Sequence, residues 1–308
     1  MKTEDPAYTK THTNLFDQIF HSKIMKLPGF LQLIYLVLGC TALTIIFYLF
    51  SFLIDNKLDW RVLLFLNPNS PVPVIDSLMI LVTDFSMGFF TLIFIFWEID
   101  CQISKHTPIP SNIIAAGTKI IGAAIAIVVG SAHFWAGYAH SYIFFPLALI
   151  QFIAFWLMGN RIVQIDQAAI DRFNRLFWLT ALTVLVQQIS VQIIKGAVAR
   201  PRPLSGAFPL YAREIRTVAD EVVQGGYSYV AGHSATLFAM VTPLIFFTPK
   251  KWIKAGLILW ALVHAYTRVY VAAHFPYGSL MGAALGFCMG ALVIKIFGVL
   301  GHSPSHRT

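Results

Sequence analysis

Eight apolar blocks, each close to the length of a helix that crosses a bilayer, limit what this chain can fold into. They run near residues 30–54, 76–97, 113–135, 141–159, 174–194, 233–249, 253–270 and 279–298. Only 12% of the 308 residues are charged, too few to cover a water-soluble globule. We therefore predict an all-α integral membrane protein, a helical bundle of about six to eight transmembrane helices.

The stretch before the first block differs in character from the rest of the chain. Residues 1–28 are predicted to form a cytoplasmic tail, in which apolar side chains of residues 15–20 share one side of an interfacial helix. A disordered tail is the alternative. Residues 29–308 are predicted to form a single transmembrane domain. The three cysteines show neither metal-ligand spacing nor a disulfide pattern.

Lysine and arginine give the blocks an orientation. With the amino terminus inside, half of the 22 lysines and arginines fall in the inner loops, whereas the short outer loops carry only Lys57 and Arg61 and the stretch 136–140 carries none. The inner basic residues are Lys2, Lys10, Lys23, Lys26, Lys105, Arg161, Arg172, Lys250, Lys251, Lys254 and Arg307. This asymmetry follows the positive-inside rule. We predict that both termini are cytoplasmic and that the protein lies in a bacterial inner membrane.

One outer loop, residues 195–232, breaks this rule. Its basic residues, with one just below the next outer turn, are Lys195, Arg200, Arg202, Arg213, Arg216 and Arg268. Positive charge on the disfavoured side needs a cause, and a bound anion supplies one. The cytoplasmic loops account for the rest of the net charge of +8, so no nucleic-acid partner is predicted.

Three short motifs fall at this outer face in the predicted topology. The first, KGAVARPRP, begins at Lys195 and contains Arg202. The second, YVAGHSAT, has Gly232 and His233 at the start of the sixth block. The third, TRVYVAAHFPYG, has an arginine and a histidine six positions apart. All three therefore face the same aqueous surface.

The residue types in these motifs suggest phosphoryl transfer. Lysine and arginine neutralise the non-bridging oxygens of a phosphate, and the guanidinium fork matches phosphate geometry. A helix start offers backbone N–H donors, and glycine lets the phosphate approach them. Two histidines then supply a nucleophile and a general acid. Because fixed cations hold the charge, neither a metal nor another cofactor is predicted.

Taken together, the motifs resemble those of the type-2 phosphatidic acid phosphatase family, which also includes glucose-6-phosphatase and the vanadium haloperoxidases. The family pattern is K-x6-R-P, then P-S-G-H, then S-R-x5-H-x3-D. This chain reads K-GAVARP-R-P, V-A-G-H and T-R-VYVAA-H-FPY-G. The resemblance covers about residues 170–298, the predicted phosphatase-like core, and depends on the order of all three motifs.

The resemblance implies a role for each matching residue. His274 would be the nucleophile that becomes phosphohistidine, and His233 would be the general acid and base. The residues that would bind the phosphate are Lys195, Arg202, Gly232 and Arg268.

Two positions depart from the family pattern. Ala231 stands where the family has serine, so one hydrogen bond to the phosphate is missing. Gly278 stands where the family has aspartate, whose side chain would orient His274 and fix its tautomer. Gly278 is a helix-packing residue that continues a glycine stripe, a lost catalytic partner, or an introduced substitution. The sequence leaves these three interpretations open.

Five other polar residues are given secondary interpretations. Arg200 is predicted to be a bystander or a contact to a lipid headgroup. Arg213 and Arg216 are predicted to be solvated loop charges that could also bind a larger acidic headgroup. His264 is predicted to be buried and hydrogen-bonded. Asp84, inside the second block, is predicted to pair with a lysine or arginine, or to replace the missing partner of the nucleophile.

The function predicted from these residues is that of a membrane enzyme acting on lipid phosphates or lipid pyrophosphates. Phosphatidic acid, phosphatidylglycerol phosphate, undecaprenyl pyrophosphate and lipid A are candidate substrates, reaching the outer-face site from the bilayer. Transfer of the phosphate to another lipid uses the same residues. The alternative, motivated by Ala231 and Gly278, is an impaired or inactive member that binds phospholipid headgroups. A transporter is disfavoured because no inverted repeat is visible.

Overall fold

The computed structural model of the protein describes residues 29–135, 144–205, 207, 212–213, 215 and 226–297. The predicted tail of residues 1–28 lies outside the described residues. Within them, six helices are long and apolar enough to cross a membrane, and no strand is longer than an isolated bridge between Pro201 and Tyr227. The prediction of an all-α membrane protein is confirmed.

The described helices are numbered in chain order. They are α1 Gly29–Leu49, α2 Asn56–Leu66, α3 Pro73–Ile80, α4 Met87–His106, α5 Ser111–Trp135, α6 Phe144–Ile162, α7 Gln167–Val198, α8 Gly232–Phe247, α9 Lys251–Tyr270 and α10 Pro276–Phe297. A 3₁₀ turn, Phe50–Leu53, extends α1, and a π-helical turn, Leu81–Ser86, joins α3 to α4. The six spanning helices are extended α1, joined α3–α4, α5, α6, α7 and α10.

Helix α8 occupies the middle of the carboxy-terminal half. It has 16 residues, fewer than a lone spanning helix needs, and packs against α7, α9 and α10. Half of its residues are buried, among them Ser234 and Thr242. Because the surrounding helices separate it from lipid, its length does not have to match the hydrocarbon thickness.

A glycine stripe on α10 brings α8 into close contact. A Cβ at Gly282 or Gly286 would overlap the backbone carbonyl of Ala231 or Ala235. The close helix packing predicted from this stripe is confirmed. The contact fixes the start of α8 against the start of α10, which is where two of the three motifs lie.

Helix α2 is an element that the apolar blocks do not predict. The carboxylate of Asp55 caps its start by accepting the backbone N–H groups of Lys57 and Leu58 at 2.9 and 3.1 Å. Asp59 and Leu63, one turn apart, form its buried face. A single buried stripe is typical of a helix that lies on other helices, and α2 packs against α9 and α10.

Candidate active site

All three motifs lie at one end of helices α7 to α10. Lys195 is in the last turn of α7, Gly232 is the first residue of α8, and His274 lies in the connection between α9 and α10. Helices α7 and α9 end here, and α8 and α10 begin here. The first two motifs are in contact, since a Cβ on Gly232 would lie 3.4 Å from Nζ of Lys195.

His274 is at the centre of the basic residues and is fully buried. Its connection lies outside the membrane-spanning segments. Burial is the largest cause of a pKa of His274 well below its usual 6.5. The positive charges of Arg268, Arg202 and Lys195 act in the same direction. The imidazole is therefore neutral at pH 7, the form in which a ring nitrogen can attack phosphorus.

The two ring nitrogens of His274 have different surroundings. Nδ1 lies 2.9 Å from the backbone carbonyl oxygen of Ser228. A carbonyl oxygen only accepts hydrogen bonds, so Nδ1 is the donor and carries the proton. The neutral ring then has its lone pair on Nε2, which is buried and has no hydrogen-bond partner in the part of the chain that the structure describes. An unsatisfied buried nitrogen of this kind suits an incoming group.

Arg268 is held by the π-helical turn between α3 and α4. The guanidinium is almost fully buried, and its Nη1 donates a 2.8 Å hydrogen bond to Oγ1 of Thr83. The same Nη1 lies 3.7 Å from a carboxylate oxygen of Asp84. The predicted pairing of Asp84 with a basic residue is confirmed. The alternative was that Asp84 accepts a hydrogen bond from His274. It is not needed, because the carbonyl oxygen of Ser228 is the acceptor beside Nδ1 of His274.

His233 differs from His274 in being exposed. It is the second residue of α8, and its ring stacks on that of His264 with centroids 6.4 Å apart. His264 is buried, and its Nδ1 lies 3.0 Å from the carbonyl oxygen of Val82. The prediction of a buried, hydrogen-bonded His264 is confirmed. The exposure of His233 leaves its ring accessible from outside the packed helices.

Arg202 lies at the edge of the cluster, half-buried. A Cβ on Gly226 would lie 3.7 Å from one of its guanidinium nitrogens. Gly226 itself has φ of 91°, a conformation that side chains rarely adopt. Glycine is therefore favoured at position 226 by the backbone conformation and not by the space beside Arg202.

Arg200 is neither a bystander nor a contact to a lipid headgroup. It is buried, with Nη1 2.7 Å from a carboxylate oxygen of Asp59 and its guanidinium carbon 4.0 Å from the ring centre of Phe275. The other oxygen of Asp59 accepts the backbone N–H of Tyr277 at 2.8 Å. The pair thus connects α2, the first motif and the first turn of α10, and it positions the residues around His274.

Arg213 is not a solvated loop charge. It makes a two-pronged contact with Asp76, at 2.7 and 3.0 Å, and donates from Nε to the carbonyl of Pro68. Asp76 also accepts from the hydroxyl of Tyr270 at 2.8 Å. Three of the five guanidinium N–H groups are engaged in these contacts. Arg216 lies outside the described residues.

The structure places Lys195, Arg202 and Arg268 around His274, with Gly232 beside Lys195, and it adds three residues that the sequence analysis did not name. Ser228, Asp59 and Thr83 hold His274, Arg200 and Arg268 respectively. Ser228 acts through its backbone, which no sequence pattern identifies. The sequence does contain a sign that Asp59 is buried and paired, since it is a carboxylate on the apolar face of a short amphipathic helix.

Comparison with known proteins agrees with the motifs. Residues 176–301 match the sequence model of the PAP2 superfamily, which confirms the family resemblance. The lipid A 4'-phosphatase of Bacteroides thetaiotaomicron is 28% identical over 107 residues, covering 34% of this chain and 47% of that protein. The undecaprenyl-diphosphatase of Sulfolobus acidocaldarius is 25% identical over 173 residues, covering 56% of this chain and 72% of that protein. The match with the first of these relatives thus covers about half of its length. No solved structure matches the chain.

Proposed function

We propose, from the PAP2 superfamily membership of residues 176–301, that the protein is a membrane phosphatase that removes phosphate from a lipid phosphate or lipid diphosphate through a phosphohistidine. The observation that carries the proposal is His274. It is buried and neutral, its proton is fixed on Nδ1, and Nε2 has no partner among the described residues. Three basic side chains surround it.

Each group then has a step in the reaction. The non-bridging oxygens bind Lys195, Arg202, Arg268 and the backbone N–H of Gly232. Nε2 of His274 attacks phosphorus, and the bond from phosphorus to the leaving oxygen breaks as a proton passes to that oxygen from His233. In the second half, His233 takes a proton from water, whose oxygen attacks phosphorus. Inorganic phosphate leaves, and Nε2 regains its lone pair.

A groove open to the bilayer side of the bundle supports a lipid substrate. It lies between α4, α7 and α8, has a volume of about 470 Å³, and is lined mainly by apolar side chains. Thr236 and Gln188 line it near the site end. Thr236 follows His233 by one helical turn. An acyl chain in this groove would place its phosphate close to the basic cluster.

The charges at the opposite end of the bundle support a site on the outer face. The ends of α7, α9 and α10 away from the site carry Arg172, Arg175, Lys250, Lys251, Lys254 and Lys295. By the positive-inside rule this end faces the cytoplasm. The substrate then binds from the outer leaflet, in agreement with the orientation predicted from the loops.

A panel of lipid phosphates tests the proposal. Purified protein in detergent is incubated with phosphatidic acid, phosphatidylglycerol phosphate, a polyprenyl diphosphate and lipid A, and released phosphate is measured. The names of the two relatives make the last two the first choices. We expect release from at least one. If no phosphate is released from any of these lipids while vanadate binding is retained, the protein is instead an inactive binder of phospholipid headgroups.

Blocking the groove is expected to separate long-chain from short-chain substrates. Ala181, on α7, lines the groove, and Ala181→Trp fills part of it. Excluding about two methylene groups costs about 1.6 kcal/mol, so kcat/KM for a long-chain substrate should fall about 15-fold. The value for a dihexanoyl analogue should stay within about twofold, because its chains scarcely enter the groove.

The matched control is Thr41→Trp in a second apolar groove, of about 480 Å³, between α1 and α7. It adds comparable bulk on the other side of α7 and should leave kcat/KM for both substrates unchanged. Equal losses for long and short chains in Ala181→Trp would show that the groove does not hold the lipid.

Replacing Lys195 by alanine should change the pH dependence of kcat/KM. The charge of Lys195 lowers the pKa of His274, so Lys195→Ala should raise that pKa towards its usual value. His274 must be neutral to attack, and activity is lost as pH falls through its pKa. The acid limb of kcat/KM should therefore move to higher pH. The substrate's own ionisation is common to both proteins and cancels in the comparison.

The control for this pH profile is Lys105→Ala. Lys105 pairs with Asp171 at the opposite end of the bundle, with 2.7 Å between the charged atoms, and its loss should leave the limb in place. An acid limb that stays fixed in Lys195→Ala would mean that His274 does not set it.

A further inference from the structure

We infer that the backbone carbonyl of Ser228 is the positioning group for His274, and that Gly278 is the residue that admits this carbonyl. The inference deepens the proposed function and rests on it, because it assigns the orienting role to a backbone atom. It also decides between the three interpretations of Gly278, since a carboxylate is not required where another acceptor already occupies the position.

Ser228 contacts His274 and the residue that follows it, and it is fully buried. Its carbonyl oxygen lies 2.9 Å from Nδ1 of His274, and its hydroxyl accepts the backbone N–H of Phe275 at 3.3 Å. Its own N–H donates to the carbonyl of Arg200 at 2.7 Å. The carbonyl is thus held by the first motif on one side and by the third motif on the other.

Gly278 leaves space for this carbonyl because it has no side chain. A Cβ at position 278 would lie 2.8 Å from the carbonyl oxygen of Ser228, closer than side chains pack. The backbone oxygen of Gly278 accepts the N–H of Ala231 at 2.9 Å, so the loop of residues 228–231 is anchored on the same turn. Any side chain at position 278 therefore competes with Ser228 for its place beside His274.

A backbone carbonyl can replace a carboxylate in part as the hydrogen-bond acceptor for His274. It holds the ring in one orientation and keeps the proton on Nδ1, so Nε2 keeps the lone pair that attacks phosphorus. It carries only a partial charge and stabilises the imidazole ring after attack less than a carboxylate does. The substitution at position 278 therefore leaves the site assembled, with a weaker orienting partner.

The test uses two substitutions of the same glycine in the full-length protein. Gly278→Ala should displace the Ser228 carbonyl and lower kcat by about 10- to 100-fold, with KM changed less than about threefold. Gly278→Asp should be no more active than Gly278→Ala, because its Cβ meets the same oxygen. The control is Gly196→Ala, where a Cβ meets nothing within 4 Å. It should keep kcat within about threefold of wild type.

A spectroscopic readout separates positioning from a general loss of structure. In protein labelled with ¹⁵N-histidine, the His274 signals are identified by their absence in His274→Asn. Wild type should show a neutral ring with the proton on Nδ1. In Gly278→Ala that pattern should be lost or mixed with the other tautomer, while the remaining histidine signals keep their positions.

The outcomes distinguish this inference from the proposed function. A neutral ring protonated on Nδ1 in a protein that hydrolyses no lipid phosphate would retain the inference and remove the function. Hydrolysis of a lipid phosphate by a wild-type protein whose His274 carries its proton on Nε2 would retain the proposed function and remove the inference. Higher activity in Gly278→Asp than in wild type would overturn the inference, because the glycine would then mark a lost catalytic partner. Should Gly278→Ala fail to fold, the wild-type tautomer still decides.

Discussion

His274→Ala is expected to abolish phosphate release, lowering kcat by about 10⁴-fold or more. The substitution removes the only protein atom that we propose forms a bond to phosphorus. The basic side chains remain, so binding of vanadate or of a lipid phosphate should persist within about tenfold of wild type. The measurements are phosphate release under saturating substrate and vanadate affinity on the same preparation.

The control for this substitution is His106→Ala. His106 is exposed at the far end of α4, and its replacement should leave both measurements unchanged. A rapid-quench experiment adds a direct test, because wild type mixed with substrate carrying ³²P should form an acid-labile, base-stable label that His274→Ala lacks. Turnover retained in His274→Ala would remove the phosphohistidine from the mechanism.

Arg268→Ala is expected to lower kcat/KM by about 10²- to 10³-fold. Arg268 is buried beside the nucleophile, and its guanidinium would bind phosphate oxygens as negative charge moves onto them. Arg268→Lys keeps the charge but loses the planar fork that also contacts Thr83, so it should recover only part of the loss. The ratio of the two variants measures how much of the effect depends on geometry.

Two controls make this result interpretable. Arg61→Ala removes an exposed arginine from α2, near the same end of the bundle, and should change kcat/KM less than twofold. Arg268→Ala with Asp84→Asn tests whether the loss comes from leaving the carboxylate without its cation. Equal activity of Arg268→Ala and wild type would show that Arg268 holds Asp84 and does not bind the phosphate.

The arrangement of the candidate site was predictable because the motifs stand at helix ends. The spacing of the apolar blocks fixes which ends share a membrane face, so Lys195, His233 and His274 had to meet on one side. Charges in the loops between spans were harder to interpret. From the sequence, Arg200 is interpreted as a bystander or a headgroup contact and Arg213 as a solvated loop charge. In the structure both are bound by carboxylates of distant segments, Asp59 and Asp76.

These two partners escaped prediction for a physical reason. Burial of an ion pair depends on which segments pack together, and the partners are separated by 141 and 137 residues along the chain. The carboxylate of Asp59 lies on α2, a helix too short and too polar to stand out as an apolar block. Asp76 lies at the start of α3, where the sequence indicates the boundary of an apolar block but not the partner of its carboxylate.

The sequence by itself determined that the protein is a membrane helical bundle and that basic residues and histidines gather at one face. Apolar length and charge asymmetry impose these features locally, whatever the packing. Only the tertiary structure shows which group lies next to Gly278. Its missing side chain lets a backbone carbonyl 46 residues from His274 take the acceptor position. Backbone atoms are the same in every residue, so only their placement in space shows which of them acts.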